Sequence, residues 1–245
     1  MHVARDTKMG DVVHHNHTIL TIMLRFNIKL GFSDRTVDEV CDQHNVNTAF
    51  FLEIVNAFLD PHYFPSKHLR TFSVSLIIDY LLKTHYYYLT HKIPAIECMI
   101  EQLIKENQGE SDLRLIRKFF KEYKDEFINH LKREDEVVFP YALKVESAAH
   151  NNEQHAYLVE QMTKYSMIDY LNEHDNIEEK LFDLKNILIK YIPPISNQAL
   201  CIHIIDELFS LEKDLHDHSR IEEKVLGPKV MELEKQLLAR SETTN

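Results

Sequence analysis

His85, His130, His174 and His218 recur at intervals of roughly 45 residues, about one long helix plus a short connection. This spacing restricts the fold more than any other feature of the chain. One such histidine per helix allows all four to meet only if the helices lie alongside one another. Two of the four carry a glutamate four positions on, His130 with Glu134 and His218 with Glu222. An i,i+4 pair shares one helical face, so each motif aims an imidazole and a carboxylate at the same point. The pattern predicts four helices that deliver four nitrogens and two carboxylates to one interior.

The two carboxylate motifs are copies. HLKREDEVVFP from His130 to Pro140 and HSRIEEKVLGP from His218 to Pro228 both fit H-x3-E-x2-V-[VL]-x-P. Taken singly, an HxxxE among 16 histidines is an ordinary solvated helical face. Repetition with a valine and a proline at matched offsets makes it a pattern.

Only four glycines, Gly10, Gly31, Gly109 and Gly227, and seven prolines leave little turn chemistry for a many-stranded sheet. The fold class expected is all-α: an antiparallel four-helix bundle preceded by a small helical N-terminal domain, over 70–238 and 1–62 respectively. The net charge of −11 excludes a general nucleic-acid binder, because phosphate affinity comes from clustered Lys and Arg. No apolar stretch reaches membrane-spanning length and the N-terminus lacks a signal peptide's hydrophobic segment, so a cytoplasmic protein with no membrane partner is expected. Cys41, Cys98 and Cys201 are far apart and form no CxxC pair, and each is expected to be a buried small hydrophobe.

Along the chain, short helical patterns cover 11–15, 19–26, 37–44 and 48–58, with a break over 27–33, and Pro61 to Pro65 marks a connector. Four long patterns follow. The first covers 73–107 with His85 on its apolar stripe, and Pro94 is expected to kink or divide it. The second runs from about 111 to 138, where Pro140 ends or bends it, and 146–164 reads as a surface extension. The third covers 166–191. The fourth starts at the capping pair Ser196-Asn197 and runs to 225, with Gly227-Pro228 interrupting it before a charged helix over 229–238.

Imidazole and carboxylate donors suit iron, manganese or zinc, and four histidines with two carboxylates exceed the needs of one tetrahedral ion. They fit two metals, with two histidines on each and Glu134 and Glu222 bridging. Ferritin-like di-iron bundles use Glu-x-x-His instead, so that pattern is disfavoured.

These motifs, with NEHD around His174 and KTHYYYLTHKIPAIE around His85, resemble the hemerythrin-like domain of the repair-of-iron-centres family, over residues 8 to about 233. RFNIKLGFSDRTVDEVC resembles that family's small N-terminal helical domain, at the place of a cysteine-containing signature. The resemblance implies a non-haem di-iron protein with two iron ions in an oxo- or hydroxo-bridged centre, ligated by His85, His130, Glu134, His174, His218 and Glu222. It implies a role in nitrosative or oxidative stress, repairing or supplying iron to damaged iron–sulfur proteins. The alternative is a hemerythrin-type module that binds or senses a small diatomic ligand, O2 or NO.

This chain departs from the family twice. The paired N-terminal cysteines are absent around Leu30 to Ser33, and Cys41 alone cannot stand in for a dithiol. Many relatives place the first histidine at the position of Tyr86; His85 is the favoured ligand here, with a Tyr86 phenolate as the alternative. His14, His15 and His17 read as an incidental surface cluster. His91 and His203 read as ordinary core or surface groups, and Asp79, Asp175 and Asp217 as candidates to orient ligand histidines.

Overall fold

The computed structural model describes residues 2–107, 111–150, 162, 166–172, 177–192 and 194–244. Among these residues every regular element is a helix, apart from one isolated antiparallel bridge between Lys8 and Thr36. No helix among them is long and apolar enough to cross a membrane. The chain divides into two compact units, Met1–Thr84 with Lys224–Leu226, and His85–Glu223 with Gly227–Asn245.

The first unit holds α1 (Met9–His15), α2 (Ile19–Arg25), α3 (Val37–Gln43), α4 (Thr48–Leu59), the single turn α5 (Ser66–Leu69) and the start of α6 (Val74–Tyr87). Thr36 starts α3 with a capping box: its side chain accepts from the Glu39 amide while Glu39 accepts from the Thr36 amide, satisfying two amides the helix leaves bare. The break over 27–33 is backbone of positive φ at Asn27, Gly31 and Ser33, where φ is 55°, 93° and 52°. Met9, Val12, Ile22, Val40, Phe50, Phe51 and Val55 form the interior. Buried Asn56 closes it by exchanging two hydrogen bonds with the Val3 backbone, at 2.7 and 2.9 Å.

The second unit is built from α7 (Ile93–Glu106), α8 (Ser111–Arg133), α9 (Phe139–His150), α10 (Met167–Asn172), α11 (Ile177–Lys190), α12 (Gln198–Ile221) and α13 (Gly227–Thr244). Asn197 caps α12 as its sequence suggests, accepting from the Leu200 amide at 3.0 Å. Helices α7, α8, α11 and α12 close a four-membered antiparallel ring, each packed on the next, and α9 and α10 both pack on α13. Buried residues recur every three or four positions: Ile96, Ile100 and Leu103; Ile116, Phe120, Tyr123 and Phe127; Leu181, Leu184 and Leu188; Ile204, Leu208, Leu211 and Leu215. That is the one-face period of a helix buried on one side.

Gly227-Pro228 does not interrupt its helix, and Pro140 does not end the helix before it. Each long helix passes through a five-residue π turn two residues before its proline: π1 (Tyr88–Lys92) before Pro94, π2 (Glu134–Val138) before Pro140 and π3 (Glu222–Leu226) before Pro228. A proline within an α-helix lacks a donor and clashes with the carbonyl of the preceding turn. The wider i→i+5 turn upstream absorbs both defects, so the helix continues. Tyr88, Glu134 and Glu222 each open a π turn at the same offset from a proline, so the backbone pattern recurs at 84–94, although of the sequence motif only the proline is kept there.

Candidate metal centre

The stripe that packs the bundle also aims the site. In α12 the buried series Leu208, Leu211, Leu215 continues into His218 and then Glu222, and in α8 Tyr123, Phe127 and Leu131 lead to Glu134. His85, Glu134, His218 and Glu222 are all buried, and one donor atom from each lies within 4.8 Å of the other three. The Nε2 atoms of His85 and His218 are 3.0 Å apart. His85 Nε2 is 3.5 Å from Glu134 Oε2, and His218 Nε2 is 3.2 Å from Glu222 Oε1.

Asp135 accepts from His85 Nδ1 at 2.7 Å. That bond puts the proton on Nδ1 and turns the Nε2 lone pair toward the other donors, the arrangement that orients metal-binding imidazoles. The His85 ring also stacks on Phe139, centroids 5.4 Å apart at 23°. In a regular α-helix Asp135 would point about 100° away from Glu134, but the π turn that starts at Glu134 changes the register and both side chains reach the site. The candidates named for this orienting role are elsewhere: Asp79 pairs with Lys83 at 2.6 Å and Asp217 with Arg220 at 3.3 Å, while Asp175 lies outside the described residues.

The two glutamates differ. Glu134 Oε1 accepts from the Tyr170 hydroxyl and faces His130 Nε2 at 3.2 Å. Burial would raise its carboxyl, but the hydrogen bond and charge of His130, with the charges of His85 and His218, outweigh burial and hold it well below the usual range. Among the described residues neither oxygen of Glu222 has a hydrogen-bond partner, although the side chain is buried. Burial first, and then the charge of Glu134, push its carboxyl well above the usual range. Two carboxylates in one apolar site cannot both ionise without a cation to share. A buried glutamate without donors beside two imidazole nitrogens aimed at one point is a donor set that fits a divalent or trivalent ion.

Of the six residues singled out in the sequence, the structure gathers His85, Glu134, His218 and Glu222. His130, with its side chain 12% exposed, joins the group through Glu134. His174 lies outside the described residues. Tyr86 is 65% exposed while His85 is 1% exposed, so only the histidine faces the cluster. Beside His130 a cavity of about 660 Å³ opens between α8 and α11, lined among others by Glu126, Arg133, Glu179 and Asp183.

Sequence reading missed Tyr170, buried in α10. Burial, followed by the charges of Glu222 and Glu134, pushes its hydroxyl far above the usual phenol range, so it stays a donor. The local sequence carries no signal for this contact, which joins residues 36 apart in the chain. His91 and His203 are exposed, as are His14, His15 and His17. Cys41 and Cys201 are buried, but Cys98 is exposed, against expectation, because it falls on the outer face of α7 between Ile96 and Ile100.

A helical bundle with a buried histidine–glutamate cluster at its mid-helix π turns is a metal-binding protein by architecture and donor chemistry. Residues 81–230 match the Hemerythrin HHE cation binding domain, and the chain belongs to that family. A comparison with curated proteins returned no match.

Proposed function

We propose that the protein holds two iron ions through His85, His130, Glu134, His174, His218 and Glu222, and that it uses them on a small diatomic ligand, dioxygen or nitric oxide, in repairing or supplying iron to damaged iron–sulfur centres. The observation that carries this reading is the convergence of four buried donors with Glu222 left bare on both oxygens. Membership of a cation-binding family supports it. Glu134 and Glu222 would supply the carboxylates of the site, Glu134 Oε2 lying 3.5 Å from His85 Nε2 and Glu222 Oε1 3.2 Å from His218 Nε2. Bound iron supplies Lewis acidity and one-electron chemistry toward such a ligand.

The chain's own residues set the conditions. Asp135 holds His85 in the tautomer that presents Nε2. Tyr88, buried against His218 with ring centroids 5.9 Å apart, and Phe139 against His85 keep bulk water from the donors.

A second reading, binding or sensing of the diatomic ligand without iron delivery, is favoured by the N-terminal unit. Its single thiol, Cys41, is buried, and burial pushes it up to about 12, so it offers neither a dithiol nor a ready thiolate. Anaerobic iron loading, metal quantification and optical spectra before and after O2 or NO test both. About two irons per chain and loss of iron to an apo iron–sulfur acceptor are expected for repair. A reversible O2 or NO adduct with iron retained gives the second reading, and a stoichiometry near one removes the two-ion site.

A further inference from the structure

The two HxxxE copies differ most at one contact that their sequences do not contain. Tyr170 comes from α10, outside both copies, and its hydroxyl donates to Glu134 Oε1. Among the described residues no corresponding donor meets either oxygen of Glu222. Three features fix α10 in place. The Met167 amide donates to Glu234 Oε1 at 2.9 Å, and the Tyr141 hydroxyl donates to the same oxygen. Gly227 admits Leu171, whose Cδ1 and Cδ2 would be only 2.8 and 3.1 Å from a β-carbon at that position. Tyr170 is 3% exposed, so the bond to Glu134 is made in a site that excludes water.

We propose that Tyr170 is a positioning residue for the metal centre: its hydroxyl holds Glu134 Oε1 so that Oε2, which has no hydrogen-bond partner, faces the ion. This rests on the two-ion reading of the site. A carboxylate can rotate to offer either oxygen or both, and a fixed donor on one oxygen removes that freedom. Glu134 is thereby committed to one orientation before an ion arrives, whereas Glu222 has both oxygens to offer. Partners that orient ligands in this way are worth 10–100-fold in metal affinity. The two glutamates, alike in sequence, therefore act as a fixed and an adjustable ligand.

The test compares wild type, Tyr170→Phe and the exposed control Tyr86→Phe, each loaded anaerobically with Fe(II) and titrated with a chromophoric chelator. Thermal unfolding of the metal-free proteins is run in parallel. Tyr170→Phe is expected to keep the ring and the fold while holding its more weakly bound iron about 10–100-fold less tightly. Tyr86→Phe is expected to match wild type. A Tyr170→Phe protein that is less stable but binds iron as wild type does gives the residue a packing role only, and overturns the proposal. A phenolate-to-iron absorption band in the Fe(III) wild type that Tyr170→Phe abolishes makes Tyr170 a ligand, which overturns it as well. Wild type that takes up no iron removes the two-ion reading itself, an outcome distinct from the other two.

Discussion

The turns π2 and π3 share a sequence motif, a backbone geometry and a following proline, yet they surround their glutamates differently. At π2, Glu134 is held by Tyr170 and faces His130, the next residue Asp135 orients His85, and Phe139 stacks on that histidine. At π3, Glu222 has no donor on either oxygen among the described residues, Glu223 is exposed, and the position of Phe139 is taken by Gly227, which makes room for Leu171. The motif builds the turn, and the helices packed against it decide what the turn's side chains do. A repeated ligand motif is thus no guarantee of repeated chemistry.

The widest separation between the two turns is expected in the metal-free protein. Glu134 has a lowered carboxyl, so its contribution to stability is present above the ordinary glutamate value and is lost as pH falls through the lowered one. Glu222 is raised, so its contribution is present below the ordinary value and is lost as pH rises through the raised one. At pH 7, Glu134→Gln removes the buried carboxylate that the Tyr170 hydroxyl and His130 Nε2 face, and is expected to cost about 3–5 kcal/mol. Glu222→Gln is expected to be neutral or stabilising. Urea unfolding of chelator-treated protein measures both, and equal losses would erase the distinction between the turns.

A smaller difference is expected one residue further on. Asp135→Asn exchanges the carboxylate that orients His85 for a neutral amide, a weaker acceptor, and is expected to weaken metal binding about 10–100-fold, while Glu223→Gln at the same motif position leaves it unchanged. Competitive chelation reads the pair, and a silent Asp135→Asn would detach His85 from the centre. The smallest effect is set by space. Gly227→Val forces a side chain against Leu171 and within 3.2 Å of the Glu222 carbonyl, and is expected to cost about 1–3 kcal/mol, read as a lowered Tm. Phe139→Val acts by the opposite route, leaving a cavity beside His85. A Gly227→Val protein as stable as wild type would show that α10 does not depend on that close approach.

Much of this was legible in the chain because one period governs both packing and ligation. The residues that bury α8 and α12 also carry Glu134, His218 and Glu222 inward, so marking the apolar stripe marked the donors. His85 was separable from Tyr86 for the same reason. Tyr170 was not legible: its contact with Glu134 spans 36 residues and depends on where Gly227 and Glu234 let α10 dock. Asp135 was not legible either, because the face it takes is set by a turn that is not α-helical. Pro94, Pro140 and Pro228 announced a local defect in each helix without saying whether it would break the helix or widen it.

His85 and His218 meet at 3.0 Å across 133 residues of chain. A pair so distant in sequence is joined only after the intervening loop has closed, and contacts of that range make folding slow. An ion that needs both histidines binds the finished bundle and not the unfolded chain, so loading adds stability by mass action. Interactions completed after the folding barrier lengthen the lifetime of the native state and leave the speed of reaching it nearly unchanged. Held at the proposed site, a metal would act as a clasp on the closed chain: it would govern how long the bundle persists, and the rate of assembly would be left to the apolar stripe.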